Sequence, residues 1–115
     1  MQAIQFIKDH GVEKARKLAF DPLHPQMTHV TDDGRHWLNK DNPHCHATAD
    51  DLKDMIVLTE LKRIIESLDL VESWGGIEAV KRYDLEPCRN KPESAGYRLI
   101  QAIADYESIY GGEHV

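Results

Sequence analysis

The stretch "ELKRIIESLDLVESW", Glu60 to Trp74, constrains this chain most, because Leu61, Ile64, Ile65, Leu68 and Val71 recur at spacings of three and four. At 3.6 residues per turn that recurrence lines five aliphatic side chains along one face of a helix. The spacing predicts a helix of about four turns starting near Thr59, and its apolar face has to be covered by the rest of the chain. With 115 residues in all, one domain with a single modest core is expected, burying roughly two-thirds of the surface that the unfolded chain exposes.

The other segments supply short partners for that helix. "QAIQFIKDHG" places Ala3, Ile4, Phe6 and Ile7 on the apolar side of a two-turn helix ending near His10, and Gly11 takes the left-handed conformation that ends one. "VEKARKLAF" restarts the pattern through Val12, Ala15, Leu18 and Ala19 before Pro22 and Pro25 close it. In "QMTHVTDDGRHWLNK" the period changes to two, and Asp33-Gly34 suits a tight hairpin turn in which both residues take positive φ. Thr48 and Asp51 have the spacing of a capping box. Gly75-Gly76 ends the long helix, and "IEAVKRY" opens another with Ile77, Val80 and Tyr83 inward. "EPCRNKPESAG" reads as a loop, since two prolines and an asparagine interrupt every helical register. The last helix runs from about Ser94 to Tyr110 with Tyr97, Ile100, Ile103 and Ala104 on one side, and Gly111-Gly112 ends it. The fold class expected is mainly α with a minor β element: five or six short helices and a small hairpin.

Twenty acidic residues against fourteen basic ones give a net charge of −6, which opposes the counterion release that drives most nucleic-acid binding. No apolar run approaches the roughly 20 residues that span a bilayer, and no secretion signal opens the chain, so a cytoplasmic location is expected. Two cysteines outside any CxxC pair, Cys45 and Cys88, are expected as free thiols in a reducing compartment.

"DNPHCHATADD", residues 41–51, holds the densest set of metal-ligand types. His44, Cys45 and His46 supply three side chains of the kind zinc takes, and His24, His29, His36 or Cys88 would have to complete a tetrahedron. Adjacent residues in an extended segment face opposite ways, so His44 and His46 share an ion more readily than either does with Cys45. The competing reading is a solvated connector without metal. Cys45 beside two histidines also has the residue types of a thiolate and its base, but such pairs are assembled in space and no further catalytic motif accompanies it. Cys88 reads as a small packing residue. A helix-turn-helix reading of "SWGGIEAVKRYDLEP" needs a recognition helix in "DLEPCRNKPESAG", where two prolines oppose it, although Lys81, Arg82, Arg89, Lys91 and Arg98 form the one locally basic stretch. Trp37 and Trp74 are expected in the core, with an interface role as the alternative. Asp32, Asp33, Asp41, Asp50, Asp51 and Asp54 form an acidic run able to imitate a phosphate backbone, or simply to stay solvated.

Three stretches, "FIKDHGVEKARKL", "LTELKRIIESLDLVESWGGIEAVKRY" and "LIQAIADYES", resemble a family of small early-region proteins encoded by lambdoid bacteriophages and prophages of enteric bacteria, with Thr28-His29 and Trp37 adding to the likeness. The resemblance does not extend to residues 39–49 or to the loop around Cys88. It implies an accessory protein that acts in the bacterial cytoplasm by binding a host protein, such as a nuclease or a defence component, and it brings no catalytic residue. The expectation is therefore a non-enzymatic inhibitor or modulator whose contacts are Asp32, Asp33, Asp50, Asp51 and Asp54 as charges, with Trp37 as anchor. A homodimer through Trp74 or Tyr110 is compatible with it. The rival expectation is a zinc protein or hydrolase built on His44, Cys45 and His46.

Overall fold

A computed structural model describes residues 2–111, and Gly112 lies outside the described residues. Six α-helices occur among the described residues: α1 (Ala3–His10), α2 (Val12–Ala19), α3 (Ala49–Lys53), α4 (Leu58–Ser73), α5 (Ile77–Val80) and α6 (Ala95–Tyr110). Three two-residue strands, β1 (His29–Val30), β2 (Trp37–Leu38) and β3 (Ile56–Val57), form an antiparallel sheet in the order β2-β1-β3. The mainly helical class with a small β element is thus what the chain adopts. Contacts divide it into two units, one ending at Arg63 and the other starting at Ile64.

In the first unit α1 buries Ala3, Phe6 and Ile7, while Ile4 is half-buried, and α2 buries Ala15 and Ala19. The hairpin is present, but its turn differs from the one that Asp33-Gly34 suggests. The Gly34 N–H donates to the Thr31 carbonyl at 2.9 Å, and Thr31 N–H to His36 O at 3.0 Å, so Asp32 and Asp33 occupy the centre of the turn. Positive φ is confined to glycines among the described residues, Gly34 at 74° included, so Asp33 never takes the left-handed conformation that a primed turn demands. The third strand was not expected: Val30 faces Ile56 and His29 faces Val57, and Leu58 N–H donates to Thr28 O at 2.9 Å to continue the ladder. Isoleucine and valine suit a strand, yet a run this short carries no period of its own.

The second unit contains most of α4, α5 and α6. All five aliphatic residues of the α4 pattern are buried, Leu61 in the first unit and Ile64, Ile65, Leu68 and Val71 in the second. Gly75 and Gly76, at φ 100° and 99°, turn the chain after α4. The helix that follows is shorter than its sequence suggests, ending at Val80. Val71 and Val80 form one buried cluster with Leu99 and Ala102 of α6. The buried face of α6 is therefore Leu99, Ala102 and Asp105, whereas Tyr97, Ile100 and Ile103 are half-buried and Ala104 is exposed. Ser94 caps α6 by accepting the Tyr97 N–H at 3.1 Å. Between α5 and α6 the chain forms only turns and a 3-10 turn at Glu86–Cys88, so no recognition helix follows α5.

Candidate functional site

The residues that sequence reasoning placed in an acidic surface have different local duties. Asp33 accepts the Thr31 hydroxyl at 2.6 Å and the Arg35 N–H at 2.9 Å, which lower its pKa in that order and fix the hairpin turn. Asp51 accepts the Thr48 N–H at 2.9 Å while Thr48 Oγ1 accepts the Asp51 N–H at 3.2 Å, so a reciprocal capping box starts α3 and lowers the Asp51 pKa. Asp50 is exposed beside Lys53. Asp32 and Asp54 line one open groove with Gln2 and Gln5. The structure thus brings Asp32 and Asp54 together.

Residues 39–45 are held by their asparagines. Asn39 Oδ1 accepts the Asp41 N–H at 3.0 Å and Asn42 Oδ1 accepts the His44 N–H at 2.9 Å, two successive side-chain-closed turns. His44 and His46 are exposed and Cys45 is half-buried. Of the further ligands considered for zinc, His24 stacks on Trp37, and the ring of His29 is buried in β1 with Nδ1 2.8 Å from Thr28 Oγ1. Burial first and the Lys40 ammonium second hold the His29 pKa below its ordinary value, with Asp41 opposing. Among the described residues no three His, Cys, Asp or Glu side chains gather as a metal-ligand set.

Trp37 is half-buried, its ring 4.1 Å from that of His24 and nearly parallel to it, and its indole N–H donates to Gly34 O at 2.9 Å. Trp74, expected in the core, is instead 41% exposed and meets Tyr83, 54% exposed, edge to face at 5.1 Å. The reason is the glycine turn, which ends α4 at Ser73 and leaves the tryptophan beyond its buried face. Beside this pair, Val80, Leu85, Ile100 and Ile103 floor a cleft of about 290 Å³ whose rim carries Lys81, Tyr83, Asp84, Glu86 and Arg89. Three of the four rim charges are in ion pairs, Lys81 with Glu107 at 3.4 Å and Arg89 with Glu86 at 2.9 Å, while Asp84 accepts the Glu86 N–H at 3.1 Å. The remaining large exposed aromatic of this unit, Tyr110, lies against Tyr106 at 4.7 Å.

No family model matches the chain, and no curated protein or solved structure is significantly similar to it.

Sequence reasoning missed a buried polar group in the second unit. Ser67, fully buried on α4, donates from Oγ to Asp105 Oδ2 at 2.6 Å and accepts from Arg98 Nη1 at 3.0 Å. Arg98 thus leaves the basic stretch and joins an internal network. The only sequence signal is positional: Ser67 sits within the apolar stripe of α4, and Asp105 lies three residues beyond Ala102. A polar residue inside a helical stripe is a cue to look for a buried partner.

Proposed function

We propose that this protein acts without catalysis, as an accessory factor that binds and modulates a host protein inside the bacterial cell, in keeping with the early-region phage proteins that its three helical stretches resemble. The observation that carries the reading is the exposed Trp74–Tyr83 pair. Tryptophan, tyrosine and arginine dominate the energetics of protein interfaces, and two large aromatics left in water beside an apolar cleft are a surface awaiting a partner. Arg82, directly before Tyr83, and Arg89, six residues after it, are exposed. The groove of Asp32 and Asp54, with Asp50 nearby in the chain, offers a second contact of acidic character. No helix among the described residues is long and apolar enough to cross a membrane, which fits action away from a bilayer.

In-cell photo-crosslinking tests this reading. A benzophenone amino acid is placed at Tyr83, and separately at Asp50, in protein expressed in an enteric bacterium. A discrete adduct with one host protein is expected from position 83 and is lost with Trp74→Ala, while Asp32→Lys with Asp50→Lys weakens it. Absence of any discrete adduct from either position overturns the proposal.

A further inference from the structure

The geometry points to a more specific role for the cleft in the second unit: it receives a single aliphatic or aromatic side chain of a partner polypeptide. This inference deepens the protein-binding reading above and rests on it. Ile100 and Ile103 lie one helical turn apart on α6 and are half-buried, as is Leu85, although residues of this kind are ordinarily covered. They open into a hollow of about 290 Å³ floored also by Val80. Sites for drug-sized molecules run from about 300 to 1,000 Å³, so this hollow sits at their lower edge and suits one side chain.

The rim distinguishes among occupants. Lys81, Arg89, Asp84 and Glu86 all line it, two charges of each sign. A phosphate or a polyanion would meet two carboxylates there, and a polycation would meet two cations. A polypeptide main chain, neutral and carrying both donors and acceptors, is compatible with charges of both signs. The Arg89–Glu86 pair is solvent-exposed on both sides, 64% and 70%, so it contributes little where it stands and is free to exchange one partner for a peptide group. Tyr83 belongs to both the rim and the Trp74 pair, which makes the cleft continuous with the exposed aromatic surface. An anchor residue seated in a cleft beside exposed aromatics is how interface hot spots pair.

The test is an NMR titration of isotopically labelled full-length protein with N-acetyl-L-leucinamide and N-acetyl-L-phenylalaninamide, against N-acetylglycinamide and free L-leucine. Saturable shifts of the Val80, Leu85, Ile100 and Ile103 methyl groups are expected from the leucine or phenylalanine amide, with Kd about 1 mM for ligands of a dozen heavy atoms. The glycine amide produces none, and Ile100→Gln weakens binding about five-fold through lost apolar contact. Tyr83→Ser is the second variant, and undisturbed Val71 and Leu99 methyl signals show that each variant is folded. No saturable shift with either amide overturns the inference, as does equal binding by folded Ile100→Gln. Tighter binding of free L-leucine than of its capped amide also overturns it, since the occupant is then a free amino acid. The cellular adduct at position 83 is read independently: if it forms while amide binding is absent, the side-chain inference fails and the protein-binding reading stands.

Discussion

Replacing Ser67 by alanine removes one oxygen atom from a site with no solvent access, and the structure specifies what that oxygen does. It donates to Asp105 Oδ2 at 2.6 Å and accepts from Arg98 Nη1 at 3.0 Å, so one hydroxyl joins a carboxylate to a guanidinium. The two losses are unequal. Arg98 is half-buried and recovers water, whereas Asp105 is only 7% exposed and loses a donor that water replaces poorly. A hydrogen bond to a charged group contributes about 1.5–3 kcal/mol, and Asp105 keeps other interactions, so Ser67→Ala destabilises by roughly 2 kcal/mol. For a chain of this size that corresponds to a fall in Tm of roughly 8–12 °C. Urea unfolding followed by far-UV circular dichroism measures it. Asp105→Asn alone and combined with Ser67→Ala closes a cycle whose coupling is about 1–2 kcal/mol. Were Ser67 present only because a small residue fits between the helices, alanine would serve equally well. A Ser67→Ala protein within about 0.5 kcal/mol of the parent refutes the network as a source of stability.

Two other perturbations follow from single contacts. A methyl group at Gly96 would overlap Cys88 Sγ and come within 2.9 Å of Cys88 Cβ, so Gly96→Ala destabilises by about 1–3 kcal/mol despite alanine's better helix propensity, and a Cys88→Gly background, examined in the same urea titration, removes most of that loss. His29 has a folded pKa below its ordinary 6.5, so the folded state takes up its proton less readily than the unfolded chain does. Its contribution is fully present above about pH 6.5 and is lost as pH falls through the lower folded value, and His29→Gln flattens the stability profile between pH 7.5 and 5 relative to the parent, whereas parallel profiles refute the assignment.

How far the fold was legible depends on whether the signal was local. The aliphatic face of α4 was readable because five large aliphatics repeat at helical spacing, and the cap at Thr48 was readable because a cap lies within three residues of its partner. β3 was not, since its partner β1 is distant in the chain, His29↔Val57 being 28 positions apart and Val30↔Ile56 26, and a two-residue strand has no period to detect. The face of α6 was misread for a chemical reason. Leu99, Ile100, Ala102, Ile103 and Ala104 offer two adjacent apolar stripes, and the choice between them is made by Asp105, which looks like a surface residue until Ser67 is seen to bond it 38 positions away. The candidate surface was misjudged through Trp74, whose size argued for burial while the glycine turn next to it decided otherwise.

The same distinction bears on where a partner engages. A polar side chain closed on its own backbone is already oriented and satisfied, so a partner that claims it must first undo a turn or a cap. Asn39 and Asn42 are closed in this way, as are Asp33 and Asp51, and together they account for much of the polar density that draws the eye to residues 32–51. Asp32 and Asp54, lining their groove, retain charge directed at solvent. Trp74 and Tyr83 stand in the opposite condition to the asparagines: their contact with each other leaves about half of each residue in water, and covering them releases that water without breaking any hydrogen bond shown to hold the fold. Under the protein-binding proposal, binding free energy is therefore expected to come mainly from the aromatic pair and the cleft beside it, with Asp32 and Asp54 affecting encounter rate and salt dependence.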